Sequence, residues 1–137
     1  MSPTTGYSGT PLSRKLGYRE ASRVFLSGAP SEYTRLIEPL PHGVRFVKTV
    51  NATTDIVHVF VTDQVQLGKF LASCRKKLNP EASVWVSWPK KSSKVPTTVD
   101  ENVIRELALP LGFVDIKVCA INETWSGLKL VVRKTLR

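Results

Sequence analysis

Residues that could bind a ligand fall in four predicted loops, which lie at one edge of a predicted sheet. The first loop contains Gly28 and Ser31, the second is Thr62–Asp63, the third contains Trp88, Lys90, Lys91 and Lys94, and the last contains Glu123 and Trp125. In open α/β sheets, ligands bind beyond the carboxyl ends of the strands, where such loops meet. A helix N-terminus, lysine ammonium groups and aromatic rings together suit a phosphate-bearing or nucleotide-like ligand. The sequence therefore predicts a ligand site at this edge.

The same residues also have a structural interpretation. Trp88 and Trp125 would then cover the end of the sheet as packing, and the three lysines would form a solvated loop. Of these residues, Glu123 has the weakest structural explanation. It lies beside Trp125 at the predicted edge. It is the best single carboxylate for binding a cationic group or acting as a base.

Groups that could do catalysis are scarce in this sequence. His58 lies inside an apolar strand, which indicates a neutral, hydrogen-bonded core histidine. Ser92 and Ser93 have no identifiable base partner. Cys74 and Cys119 have neither disulfide-framework nor zinc-site spacing, so they are predicted to be reduced core thiols. No catalytic residue and no metal site is predicted.

The first half of the chain alternates between strand and helix signals. A strand is predicted at Arg23–Ser27, followed by a helix that Ser31 caps and that runs to about Glu38. Val44–Val50 is predicted to be an exposed edge strand. Asp55–Val61 is nearly continuously apolar, which is typical of a strand covered on both faces, so it is placed at the centre of the sheet.

The second half continues this alternation and ends differently. Capping boxes at Asp63/Gln66 and Thr98/Glu101 each begin a helix, and Ser83–Trp88 is a strand between them. The last two strands, 115–121 and 128–133, are joined by the residues NETWSG and are therefore antiparallel. These elements predict an α/β fold: a three-layer Rossmann-like sandwich whose mostly parallel sheet ends in an antiparallel strand pair.

This series of elements, from Arg23 to Arg133, resembles the back half of the Rossmann-like fold of S-adenosylmethionine-dependent methyltransferases. More narrowly, the runs GYSGTPL, VWVSWPKKSSKV, LALPLGFVDIKVCAI and ETWSGLKLVVRK are similar to a family of short bacterial proteins of unknown function. The second resemblance spans nearly the whole chain. It implies the fold, and it supplies no activity, substrate or catalytic residue.

The sequence departs from the methyltransferase pattern at both parts that hold the cofactor. Those enzymes have a Gly-rich turn after the first strand and a carboxylate after the second. Here the first turn, FLSGAPSEY, has a lone Gly28, and the second strand is followed by Asn51 as the nearest polar residue. No cofactor is therefore predicted, although the resemblance leaves S-adenosylmethionine as a candidate.

The connection between the second and third strands is too short for an ordinary parallel crossover. Four residues separate Val50 from Asp55, whereas such a crossover normally takes about a dozen or more. One strand-helix unit of the methyltransferase fold is therefore predicted to be missing. The favoured interpretation is a short parallel strand whose chain returns extended from about Lys48 to Asp55. The alternative is a hairpin with residues 51–54 as its loop.

Composition limits the organisation of the chain and the classes of partner. A chain of 137 residues fits one domain, predicted at 12–137, after a polar N-terminal arm at 1–11. A formal net charge of +9 favours anionic small molecules or nucleic acid as partners, with basic runs at Arg75–Lys77 and Arg133–Arg137. No membrane segment is recognised, so a cytoplasmic protein is expected. The strand at Val44–Val50 is a candidate homodimer edge.

Together these observations predict a methyltransferase-like binding or interaction domain without catalysis. Two alternatives stay open. One is a divergent S-adenosylmethionine-dependent methyltransferase, which requires a deep pocket at the loop edge. The other is a nucleic-acid-binding protein, which requires the basic clusters to share one face and the affinity to fall steeply with salt.

Overall fold

The computed structural model of this chain describes residues 9–137, so most of the predicted arm at 1–11 lies outside the described residues. From Arg23 onward, the elements follow the predicted order. They are α1 (Leu12–Lys15), β1 (Arg23–Ser27), α2 (Tyr33–Leu36), β2 (Arg45–Val47), β3 (Ile56–Phe60), α3 (Gln64–Lys77), β4 (Ser83–Pro89), α4 (Glu101–Ala108), β5 (Phe113–Ala120) and β6 (Trp125–Val132), with single 3-10 turns at Lys91–Ser93, Leu109–Leu111 and Lys134–Leu136.

The six strands form one sheet in the order β2-β1-β3-β4-β6-β5. β1 to β4 are parallel to one another, and β6 is antiparallel to both of its neighbours. β3 lies inside the sheet with all five residues buried, as its continuous apolar run predicts. The predicted fold class is confirmed: a mostly parallel α/β sheet that ends in an antiparallel strand pair.

Two hydrophobic clusters cover the two faces of this sheet. One contains Leu67 and Leu71 of α3 and Ile104 of α4, packed on alternate residues of β3, β4 and β6. The other contains Leu16 beside α1 and Tyr33 of α2, packed on the opposite residues of the strands. Helices therefore lie on both faces, because successive strand residues point to opposite sides and both sides are apolar.

The segment between β2 and β3 has the arrangement that the sequence favours, a short parallel strand followed by an extended return. β2 and β3 lie on opposite sides of β1, and both run parallel to it. The hairpin alternative is wrong, since the two strands do not pair with each other. β2 has only three residues, fewer than predicted, and Val50 beyond it packs against the α3 side of the core. The chain therefore returns across one face of the sheet without a helix.

Helix caps account for two wrong sequence predictions. Asp63 caps α3 as predicted, because its carboxylate accepts a hydrogen bond from Gln66 N at 2.9 Å. The cap of α4 is Asp100, whose carboxylate accepts from Val103 N, and not Thr98. Ser31 caps nothing: α2 is a single turn that begins at Tyr33 after Glu32, without a side-chain cap. Short helices packed by tertiary contacts do not need such caps.

Thr98 stabilises the other helix instead of α4. Its hydroxyl accepts a hydrogen bond from Gln64 N at 2.8 Å, in the first turn of α3. Its backbone N–H donates to the carbonyl of Thr62 at 2.9 Å. Thr98 therefore joins the loop after β4 to the end of β3, a tertiary role that local spacing does not reveal.

A chain of buried hydrogen bonds crosses the core beneath α2. The hydroxyls of Tyr18 and Tyr33 lie 2.7 Å apart, and the Tyr33 hydroxyl lies 2.9 Å from His58 Nδ1. His58 Nε2 lies 2.7 Å from the Ser87 hydroxyl. Burial lowers the pKa of His58 to about 3 and raises the pKa of Tyr18 to about 12. These side chains are therefore uncharged near neutral pH, and the prediction of a neutral core histidine is confirmed.

The antiparallel pair is longer than the sequence predicts. β6 begins at Trp125, so the connection is residues 121–124, and Trp125 lies in a strand and not in a loop. A bulge at Ile116 shifts the register between Asp115 and Lys117. In residues 9–137, no helix is long and apolar enough to cross a membrane.

Candidate functional site

Hydrogen bonds join the loops at the carboxyl edge of the sheet. Lys90 N donates to the carbonyl of Thr124 at 2.8 Å, which connects the loop after β4 to the β5–β6 turn. The amide of Asn122 in that turn donates to Glu32 Oε2 at 3.0 Å. The loop after β4 is also held to Thr62 after β3. The four loops therefore meet at one edge, as the parallel strand order requires.

A groove of about 620 Å³ lies between the loop after β4 and the start of α4; we call it the lysine groove. Its lining includes Trp88, Lys90, Lys91, Lys94, Asp100 and Asn102. Four of the predicted site residues are therefore brought together. The volume is in the range of pockets that hold small molecules and cofactors.

A tight turn places the three lysines of this groove close in sequence and space. Lys91–Ser93 forms a single 3-10 turn, and Lys94 follows it in the left-handed conformation, with φ +61°. The Ser93 hydroxyl donates to the carbonyl of Lys90 at 2.6 Å, so this serine serves the turn. In the described chain, none of the three ammonium groups takes part in an ion pair. Their charges are therefore available to a ligand.

The carboxylates beside the lysine groove are already bound to other groups. Asp100 caps α4 through Val103 N at 2.9 Å. Glu101 pairs with Arg105 at 2.6 Å, and the same guanidinium pairs with Asp115 on β5 at 2.9 Å. Hydrogen bonding to Arg105 lowers the pKa of Asp115, which keeps this carboxylate ionised. These contacts orient α4 with its N-terminus beside the lysines.

Glu123 lines a second groove, of about 500 Å³, on the other side of Lys90; we call it the Glu123 groove. Leu36 of α2, Lys15 of α1 and Asn122 also line it. Lys90 lines both grooves, so the predicted site is divided in two. Glu123 itself is exposed and faces a different groove from Lys91 and Lys94.

Gly28, Ser31 and Trp125 lie at the predicted edge, but neither groove includes them in its lining. Gly28 has φ +71° and is packed against the end of β3. The Trp125 ring contacts Phe60 edge to face, with 5.2 Å between the ring centres. Trp88 is only 8% exposed and belongs to the core. Both tryptophans therefore pack against the core, and Trp88 also lines the lysine groove.

Asn51, the nearest polar residue after the second strand, has a local role. Asn51 Oδ1 accepts hydrogen bonds from the backbone N–H and the hydroxyl of Thr53, at 2.8 and 2.6 Å. This turn comes just before β3 begins, at the opposite edge of the sheet. Asn51 is therefore not placed where the resemblance puts a ribose-binding carboxylate.

Other reactive side chains of the described residues are structural. Cys74 and Cys119 are free and buried, and burial raises the pKa of the Cys74 thiol to about 12. No cluster of three or more His, Cys, Asp and Glu side chains within 9–137 could hold a metal ion. In the basic run at Arg75–Lys77, Arg75 Nε donates to the carbonyl of Leu111 at 3.0 Å, so it helps to pack α3.

Sequence reasoning missed the residues that connect the loops. Asn122 binds Glu32 at 90 residues' separation, and Asp100 caps α4 where Thr98 was expected. An Asp directly before Glu101 was a local signal for the cap, because Asp is a preferred N-cap residue. No local pattern indicates the Asn122–Glu32 contact.

Solved structures with the same fold include methyltransferases. A SAM-dependent methyltransferase from Aquifex aeolicus has a TM-score of 0.62 and 14% identity, and the match covers 89% of this chain and 88% of that chain. The PH0226 protein from Pyrococcus horikoshii OT3 has a TM-score of 0.62 and 11% identity, with 90% and 87% covered. At these identities the similarity shows the fold, and this chain therefore has a methyltransferase-like fold.

A third similar structure was solved with ligands bound. It is an O-methyltransferase from neocarzinostatin biosynthesis, in complex with S-adenosylmethionine and 2-hydroxy-5-methyl naphthoic acid. Its TM-score is 0.61 at 12% identity, and the match covers 82% of this chain and 49% of that chain. No protein-family model matches the sequence, and no curated protein matches it.

Proposed function

We propose that this methyltransferase-like domain binds a phosphate-bearing ligand in the lysine groove. The observation that carries the proposal is the convergence of Lys90, Lys91 and Lys94 on one groove of about 620 Å³. Ammonium groups form charge-assisted hydrogen bonds with phosphate oxygens, and these bonds are about twice as strong as neutral ones. A nucleotide-like molecule matches this chemistry and the size of the groove.

The first turn of α4 adds to the attraction for an anion. Asn102 lines the groove, and the N–H groups of a helix's first turn carry partial positive charge. Asp100 opposes this attraction, but its carboxylate accepts the Val103 N–H. The groove therefore has a positive balance from three lysines against two carboxylates, one of which also pairs with Arg105.

A calorimetric titration tests the proposal directly. Adenosine 5′-diphosphate and inorganic pyrophosphate are titrated into the wild type and into the Lys90→Gln/Lys94→Gln double variant. We expect the double variant to bind at least about tenfold more weakly, because two charge-assisted contacts are lost. Lys69→Gln/Lys76→Gln, on the exposed face of α3, is the matched control with the same change in net charge.

The control separates local contacts from the general charge of the protein. If both double variants weaken binding equally, the attraction comes from net charge and the proposal is wrong. The proposal also fails if the wild type binds neither compound at millimolar concentration.

A divergent S-adenosylmethionine-dependent methyltransferase is the second candidate. It is favoured by the methyltransferase fold, which covers nearly the whole of the Aquifex aeolicus enzyme. It requires S-adenosylmethionine or S-adenosylhomocysteine to bind near β1 and β3. Saturable binding of either compound, unaffected by Lys90→Gln/Lys94→Gln, would favour this candidate. Amide chemical shifts at residues 27–32 on addition of the adenosyl compound would place it beside β1.

A further inference from the structure

Lys117 and Lys129 are directly opposite each other on the antiparallel strands β5 and β6. Like charges at such positions repel and destabilise a sheet. Lys117 Nζ donates to the carbonyl of Lys15 at 3.1 Å, which fixes it against α1. Lys129 makes no such contact with any of residues 9–137.

Lys129 is partly buried beneath the segment that joins α1 to β1. Across the pairing of β6 with β4, Lys129 is directly opposite Trp85. The indole N–H of Trp85 donates to the carbonyl of Leu16 in this segment at 2.9 Å. The neighbouring residue of this segment is Gly17, and a Cβ atom there would lie 3.7 Å from Lys129 Nζ. The ammonium group therefore lies close to the backbone at Gly17, at a distance where a Cβ atom would make only an ordinary contact.

No described carboxylate lies within ion-pair distance of this partly buried ammonium group. The ion pairs of residues 9–137 use Arg105 and Arg137, and neither Lys129 nor Arg19 takes part in one. Burial lowers the pKa of Lys129, and the charges of Lys117 and Arg19 lower it further. Burial and neighbouring like charges both disfavour a charged group, and a bound anion would compensate for them.

A cavity of about 510 Å³ opens beside this lysine; we call it the Lys129 cavity. It lies at the amino ends of the parallel strands, near Ile56 of β3 and Ser83 of β4, opposite the lysine groove. Arg19 and Lys129 supply its positive charge. Glu20, Asp55 and Glu81 also line it.

The mixture of cations and carboxylates restricts the kind of ligand. A simple polyanion would be repelled by the carboxylates, whereas hydroxyl groups donate hydrogen bonds to them. Phosphate oxygens would accept hydrogen bonds from Arg19 and Lys129. A ligand that carries one phosphate and several hydroxyls satisfies both sets of groups.

We propose that the Lys129 cavity is a second binding site, for a phosphate monoester of a sugar or other polyol, held by Lys129 and Arg19 through the phosphate. This proposal does not rest on the function proposed for the lysine groove. The two sites lie at opposite edges of the sheet and share no lining residue.

The test is a titration of the full chain with ribose 5-phosphate, inorganic phosphate and ribose, followed by calorimetry and by amide chemical shifts. We expect ribose 5-phosphate to bind most tightly, with shifts at residues 17–22 and 129–131. Arg19→Gln and Lys129→Gln should each weaken binding about tenfold. Lys69→Gln is the control of equal charge change and should leave the affinity unchanged.

Arg19 is exposed, so its variant tests the site even if Lys129→Gln does not fold. The proposal is overturned if ribose 5-phosphate does not bind at millimolar concentration. It is also overturned if Lys90→Gln/Lys94→Gln abolishes the binding while Arg19→Gln leaves it intact, since the ligand would then occupy the lysine groove. Equal binding of ribose and ribose 5-phosphate would equally contradict it.

Discussion

A Cβ atom on Gly28 would lie 2.7 Å from the carbonyl oxygen of Phe60. The end of β1 is therefore packed against the end of β3, at the turn where methyltransferases use glycine to let backbone approach the cofactor. Here the neighbouring strand makes the close approach. Gly28 is required by packing, whatever else binds at this edge.

Gly28→Ala is expected to destabilise the fold more than an alanine substitution at another glycine with positive φ. Gly43 is the matched control, since its φ is +79° and a Cβ there meets its neighbours only at ordinary contact distances, from 3.5 Å. Both substitutions pay the strain of a left-handed alanine, about 1 kcal/mol. Gly28→Ala should cost about 1–3 kcal/mol more, because a backbone carbonyl must move. Urea unfolding measures both, and equal costs would refute the packing role.

Tyr33→Phe removes the central hydroxyl of the buried hydrogen-bond chain. Its loss leaves both the Tyr18 hydroxyl and His58 Nδ1 without their partner, whereas Tyr18→Phe removes one bond at the end of the chain. We expect Tyr33→Phe to lower the free energy of unfolding by about 1–3 kcal/mol and Tyr18→Phe by about 1 kcal/mol. Urea unfolding measures both variants. Equal losses in the free energy of unfolding would contradict the central position of the Tyr33 hydroxyl.

The burial of His58 predicts a particular dependence of stability on pH. Its folded pKa, about 3, lies below the ordinary value of 6.5, so below pH 6.5 the unfolded state binds a proton that the folded state does not. The stabilisation is therefore complete above pH 6.5 and is lost as the pH falls towards 3, by at most about 1.4 kcal/mol per pH unit. Ring signals of His58 in folded protein should not shift between pH 8 and 5. A titration inside that range would contradict the buried, neutral ring.

Asp100 offers a way to separate the helix cap from the charge of the lysine groove. Asp100→Asn keeps a side-chain oxygen that can accept the Val103 N–H, so stability should change little. Phosphate binding should become tighter, because a negative charge beside the lysines is removed. Asp100→Ala loses the cap and should cost about 1 kcal/mol. Calorimetry and urea unfolding check the pair, and weaker phosphate binding by Asp100→Asn would argue against binding in this groove.

The order of elements could be predicted from the sequence because each strand and long helix has a strong local pattern. β3 is apolar throughout, and the exposed strand β2 contains Arg45. Even the missing strand-helix unit followed from counting residues between Val50 and Asp55. Periodicity and connection length are local properties, which is why they were sufficient here.

The sequence predictions that were wrong concern features that tertiary contacts determine. Thr98 has the spacing of a capping box with Glu101, yet its hydroxyl binds the amide of Gln64 in another helix. The predicted NETWSG loop is too long, because its last three residues, 125–127, pair with β4 and belong to β6. That error also hid the pairing of Lys117 with Lys129, since the centre of the turn fixes which residues face each other.

Part of the candidate site could be predicted and part could not. Lys90, Lys91 and Lys94 lie where the strand order puts them, at the carboxyl edge. Whether a residue lines a groove or packs beneath it depends on side-chain contacts across the fold. For Trp88 and Trp125 those contacts are with the core, and no spacing in the sequence distinguishes this from exposure.

The most direct test of ligand binding by the lysine groove is an amide chemical-shift map of the isotope-labelled chain titrated with adenosine 5′-diphosphate. We expect saturable shifts at residues 88–102, in the loop after β4 and the first turn of α4, and their loss in Lys90→Gln/Lys94→Gln. Saturable shifts confined to other parts of the chain, or shifts at 88–102 that persist in the double variant, would contradict ligand binding by the lysine groove.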